Sequence, residues 1–159
     1  MLKRIKLVIG IFILFTILST PAWCQEKDTG IGIILGEPTG FSGKIWWNED
    51  MAFDGGVAWS FTGDPHLHIH GDVLWHNWNV LKDTFEVDDS SGSLPLYYGI
   101  GGILKVGDDA KLGMRFVLGT AYIFENAPFD IFFEIAPIMD VAPETELRLN
   151  AAVGSRFWF

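Results

Sequence analysis

Beyond residue 24 no stretch approaches the roughly 20 apolar residues that a membrane-crossing helix requires. Instead, apolar and polar residues alternate one for one along segments of ten or more positions. A period of two sends successive side chains to opposite faces of a β-strand, so each segment carries one oily and one polar face. At the C-terminus Leu147, Leu149, Ala151, Val153, Phe157 and Phe159 share a face, opposed by Glu146, Arg148, Asn150, Gly154 and Arg156. Phe129, Ile131, Phe133, Ile135 and Met139 oppose Asp130, Glu134 and Asp140, and Leu112, Met114, Phe116, Leu118, Tyr122 and Phe124 oppose Lys111, Arg115 and Gly119. Leu67, Ile69, Val73 and Trp75 oppose His66, His68, His70, Asp72 and His76.

Eight strands follow from this pattern, at 29–36, 40–47, 51–61, 66–78, 95–106, 111–124, 128–141 and 145–159. Gly, Pro, Asn and Asp fill the breaks between them, supplying the backbone angles and local hydrogen bonds of tight turns. One connection, 79–94, is long and polar. The expected fold is all-β, an eight-stranded antiparallel up-and-down transmembrane β-barrel occupying residues 25–159.

Residues 1–24 read as a cleaved signal peptide. Lys3, Arg4 and Lys6 form a basic head, Leu7 to Leu18 an apolar run, and Ala22 and Cys24 small residues at the cleavage site. Cys24 leaves with it, and Trp23 before it argues against a lipid anchor there. The remaining chain holds eight basic and twenty acidic residues, a net charge of −12. No basic patch is available to neutralise phosphates, which excludes a nucleic-acid partner.

Two kinds of barrel alternate in this way. A soluble calycin-like barrel turns its apolar face inward around a ligand, and a membrane barrel turns it outward into lipid. Here the apolar face is bulky on nearly every strand, with Trp47, Trp59, Phe61, Trp75, Tyr98, Phe124, Phe129 and Phe157 near strand ends. Eight strands enclose too narrow an interior for so many large groups, which favours the outward reading. Phe133, Leu118, Val153 and Ile69 are then expected in lipid. Lys44, Lys105, Lys111, Arg115, Arg148 and Arg156 are expected in the lumen with Asp54, Asp72, Asp130, Glu134, Asp140 and Glu146. Six cations against six anions suit a paired, filled interior, because enclosed charges are costly unless paired. Such an interior is not an open pore.

Alternate histidines lie roughly 6.6–6.8 Å apart along a strand, so His66, His68 and His70 are metal-ligand candidates for Zn²⁺ or Cu²⁺. The reading preferred from sequence is structural, with histidines as hydrogen-bonded filling beside Asp54, Asp72 and Glu134, and no resident metal or cofactor. No G-x-S-x-G or H-E-x-x-H motif occurs, Ser42 and Ser60 specify no triad, and Gly30-Ile31-Gly32 is a strand alternation where small residues ease curvature. A lipid A-modifying barrel enzyme is the less favoured alternative; no motif supports it, and no catalytic residue is assigned.

The ending Phe157-Trp158-Phe159 resembles the terminal signature read by the outer-membrane barrel assembly machinery. The chain as a whole resembles small eight-stranded outer-membrane barrels typified by the OmpA transmembrane domain and OmpX. It also resembles a group of short predicted outer-membrane barrels through 36–40, the His-x-His run and 124–128. This implies a monomer in the outer membrane, with outer-membrane lipids as its surroundings, assembly directed by Phe157 and Phe159, and a structural, adhesive or binding role. An even strand count with both ends in the periplasm puts 79–94 on the periplasmic side, where turns are usually short. Either the count is off by a hairpin or the barrel has a long inner-side connection.

Overall fold

The computed structural model describes residues 28–37, 39–60, 66–85, 92–107 and 110–159; the segment read as a signal peptide and Phe61 lie outside them. The strands are β1 (Thr29–Glu37), β2 (Thr39–Trp46), β3 (Met51–Ser60), β4 (His66–Asn77), β5 (Gly92–Ser93), β6 (Leu96–Val106), β7 (Lys111–Phe124), β8 (Phe129–Ala142) and β9 (Glu146–Trp158). One short helix, α1 (Val80–Phe85), precedes β5. Neighbouring strands pair antiparallel in sequence order, and β9 pairs with β1 to close the sheet.

β5 adds no hairpin. It pairs with β7 at Phe124 and Ile123, continuing the edge on which β6 pairs from Thr120 onward, so β5 and β6 are two pieces of one stave. Pro95 divides them, since it has no N–H to donate to a ladder, while its carbonyl accepts from Ala121 N and Thr120 Oγ1. The count is therefore eight staves, and the 78–95 connection lies at the end of the barrel that holds both chain ends. It is not plain loop: Asn77 Oδ1 accepts from the backbone N–H groups of Asn79 and Val80, capping α1.

Side-chain hydrogen bonds brace two other turns. Asn48 Oδ1 accepts from the Asp50 and Met51 N–H groups between β2 and β3. Gly36 has φ +149°, which its lack of a Cβ permits, and Thr39 Oγ1 donates to its carbonyl at the β1–β2 turn.

The ladder sets the barrel's dimensions. The line of partners leaving β1 at Gly30 passes through Lys44, Asp54, Asp72, Gly101, Arg115, Ile138 and Arg148 and returns to β1 at the level of residue 40, a stagger of ten residues. Eight strands with that stagger tilt about 40° and enclose a cylinder about 8 Å in radius at the backbone. Opposed residues on antiparallel strands face the same way, so this climbing line turns Lys44, Asp54, Asp72, Arg115 and Arg148 into the lumen at increasing distance from the chain ends.

The two faces separate sharply. Leu118 is 52% exposed and Phe133 45%, on the same strands as Arg115 at 4% and Glu134 at 5%. Val153 and Ile69 also point outward, and Asp72 inward. The aromatic girdle is one-sided. Trp47, Trp75, Tyr98, Phe124, Phe129, Phe157 and Phe159 lie at the end that carries the chain ends, whereas among the described residues only Phe41 and Trp59 lie toward the other. Trp75 stacks on Tyr98, and Phe157 packs edge-on against Phe129 and Phe159.

Candidate functional site

The lumen is filled in three layers. Nearest the chain ends, Trp46 stacks between Trp78 and Trp158 at ring-centroid distances of 5.7 and 6.2 Å. Lys44 reaches this layer, with Nζ 4.8 Å from the ring centroids of both Trp46 and Tyr97 and donating to His76 Nε2 at 2.7 Å. His76 Nδ1 donates to the Asp50 carbonyl at 3.2 Å, a tautomer that satisfies both contacts. Trp78 Nε1 donates to the Glu49 carbonyl and Trp158 Nε1 to Asp130 Oδ2. Outside the layer, Asp28, Trp46, Trp47, Asn48, Glu49, Asp50 and Trp78 line an open crevice of about 600 Å³.

Two arginines cross the middle layer. Arg156 on β9 donates through Nη2 to Asp54 Oδ2 on β3 at 2.7 Å and through Nε to Ser42 Oγ on β2 at 2.9 Å. Its Nη1 stands 3.6 Å from Asp130 Oδ2, and its guanidinium carbon lies 3.8 Å from the Phe132 ring centroid. Arg115 on β7 pairs with Glu134 on β8 and lies 3.0 Å from Asp72 Oδ2 on β4. Tyr97 OH donates to the other Glu134 oxygen at 3.3 Å. A void of about 20 Å³ in this layer, lined by Asp54, His70, Arg115, Glu134 and Arg156 among others, has room for about one water.

The far layer is wetter. Arg148 grips Asp140 with two parallel hydrogen bonds at 2.6 and 2.7 Å, and Lys111 donates to Glu146 at 2.6 Å. Lys105 shares this face by register with His68 and Lys111. All twelve charged residues expected in the lumen thus lie on inward-facing positions, although Glu146 sits at the rim and is half exposed.

The three histidines named as ligand candidates divide into a pair and a single residue. His66 and His68 lie together toward the far rim, with ring centroids 5.3 Å apart. His70 turns instead between Asp54 and Asp72. The cause is register: Gly56 sits opposite His70, and the absence of a side chain there leaves the space the imidazole occupies.

The same device admits the large inward groups that sequence reasoning missed. A side chain on Gly119 would strike the Tyr97 ring, one on Gly154 the Phe132 ring, and one on Gly30 the Trp158 indole. Parity alone could have flagged them. Phe132 falls between Asp130 and Glu134, and Trp158 two residues after Arg156.

The N-terminal β-barrel domain of Pseudomonas aeruginosa OprF superposes with a TM-score of 0.59 at 12% identity, covering 84% of this chain and 98% of that domain. The fold is that of an outer-membrane β-barrel. Neisserial surface protein A is also similar, with a TM-score of 0.47 and 13% identity over 83% of this chain and 94% of that one. No family model and no curated protein sequence matches the chain. At these identities the likeness concerns architecture, and no residue role is carried across.

Proposed function

We propose that the protein is exported to the outer membrane and works there as a closed barrel with a structural or binding role, neither conducting solutes freely nor catalysing. The observation that carries this reading is the middle layer. Arg156 and Arg115 tie β9, β7 and β8 to β2, β3 and β4 across the lumen, and the residual void admits about one water. A diffusing solute would have to break these pairs. The location is supported by the outward apolar face and by the terminal aromatics Phe157 and Phe159. A calycin-like ligand binder would need the opposite facing and a roomy apolar interior. Against catalysis, Ser42 Oγ accepts from Arg156, and Ser155 Oγ donates to the Asp130 carbonyl.

Reconstitution in planar bilayers tests the closed lumen: the expected record is silent or shows rare small events. Steady nanosiemens steps would refute it. Cell fractionation tests location, with recovery in the outer membrane and faster migration of unboiled protein on gels as the expected result.

A further inference from the structure

Asp54 on β3 and Asp72 on β4 are direct cross-strand partners with both carboxylates turned inward, an arrangement in which like charges repel. His70, two residues along β4, places Nε2 4.0 Å from Asp54 Oδ1 and 4.0 Å from Asp72 Oδ2. The three side chains are buried, and one ligand atom from each lies within 4.8 Å of the others. We propose that Asp54, His70 and Asp72 bind one divalent transition-metal cation, with zinc as the best match, inside the barrel.

The protein's own cations leave the group incompletely satisfied. Arg156 holds Asp54 through Oδ2, which leaves Oδ1 turned toward His70. Arg115 Nε is close to Asp72 but out of line for a hydrogen bond, so both oxygens of a carboxylate only 4% exposed lack a hydrogen-bond partner. Orphaned buried acceptors are costly, and a cation is what two facing carboxylates attract. In the middle layer and the layer nearest the chain ends, four carboxylates, Asp54, Asp72, Asp130 and Glu134, face three cations, Lys44, Arg115 and Arg156. By formal charge, one negative charge is left over.

The geometry is near that of a metal site. A point equidistant from three atoms at these separations lies about 2.5 Å from each, against roughly 2.0–2.2 Å for zinc-bound imidazole nitrogen or carboxylate oxygen. Tetrahedral coordination at that bond length sets ligand atoms about 3.4 Å apart, so side-chain rotations that draw the three atoms together by about an ångström complete the site. One imidazole and two carboxylates form a borderline donor set that suits zinc better than magnesium or calcium. The 20 Å³ void touches Asp54 and His70 and has room for a water as fourth ligand. Arg156, bonded to the second oxygen of Asp54, then acts as the outer group that orients a ligand. His66 and His68 are not part of this set.

Because the site is enclosed, the barrel is loaded while it forms. Urea-unfolded protein is refolded in nonionic detergent with equimolar zinc, its closure checked by heat-modifiable gel mobility, then desalted and its metal content measured. The expected result is close to one zinc per barrel in the wild type and in His66→Asn/His68→Asn, with at least a tenfold loss in His70→Gln. Should His70→Gln fail to close, Asp72→Asn is read in the same way. Refolding with cobalt adds a direct reading, a visible absorption band from tetrahedral cobalt in the wild type. A closed wild-type barrel with neither zinc nor the cobalt band overturns the proposal and leaves the void to a water. Metal that survives both His70→Gln and Asp72→Asn, or is lost with His66 and His68, overturns it equally.

Discussion

Arg156→Met isolates the crossing of the middle layer, because methionine keeps much of the volume and removes the charge. Arg156 is 1% exposed and donates to Asp54 and Ser42, with Asp130 3.6 Å away. Its loss strands the Asp54 carboxylate in a layer with little room for water, and removing one partner of a buried ion pair costs about 3–5 kcal/mol. The lost stacking on Phe132 belongs inside that range, since buried cation–π contacts contribute up to about 2 kcal/mol. Adding Asp54→Asn removes the stranded charge, so Arg156→Met/Asp54→Asn should be more stable than Arg156→Met alone by about 1–2 kcal/mol, a strongly non-additive cycle. Urea titration in phospholipid vesicles, read by tryptophan fluorescence and heat-modifiable mobility, measures both differences. If Arg156→Met unfolds within about 1 kcal/mol of wild type, or the two substitutions simply add, the guanidinium does not hold the lumen as argued.

The outward face is tested by Phe133→Arg and Leu118→Arg, each expected to lose about 2–4 kcal/mol in vesicles; folding as stable as wild type would invert the facing. Gly154→Leu and Gly119→Leu should prevent or slow closure by colliding with Phe132 and Tyr97, whereas Gly71→Ala, with nothing within 4 Å of its missing Cβ, should close normally on unboiled gels. Lys111→Ala at the open rim should leave the urea midpoint unchanged, because exposed pairs contribute little; a large shift would mean that the far layer is as dry as the middle one.

Much of this architecture is legible in sequence, because burial in a barrel has the same period as the side chains. Parity puts Arg115, Glu134, Asp72 and Arg156 on inward positions without any knowledge of which strands touch. Partnership is another matter. That Asp54 meets Asp72, or that Gly154 clears Phe132, depends on register, and register emerges from closing eight strands with one common stagger. The inward Trp46, Tyr97 and Trp158 were concealed for a related reason. Large apolar groups read as lipid-facing by type; parity turns these inward, and for Tyr97 and Trp158 the neighbouring Gly119 and Gly30 supply the space that admits them. The His66–His68–His70 run looked like a unit because its members are neighbours along the chain. Across the sheet, His70 belongs with two aspartates instead. The split of β5 from β6 and the capped helix α1 fall in the one connection where alternation stops.

The unequal ends of the barrel bear on where another macromolecule could be grasped. The four connections opposite the chain ends are residue 38 and residues 61–65, 107–110 and 143–145, thirteen residues in all. A protein interface of ordinary size takes about 20–30 residues from each side, so that rim is too small to supply one from its connections. The other end carries the eighteen residues of 78–95, the turns 47–50 and 125–128, and the tryptophan-lined crevice. Recognition by a folded partner would therefore fall to that face. If the chain ends lie on the periplasmic side, the cell exterior is met by short connections alone, with few loop residues for an antibody or another cell's receptor to hold.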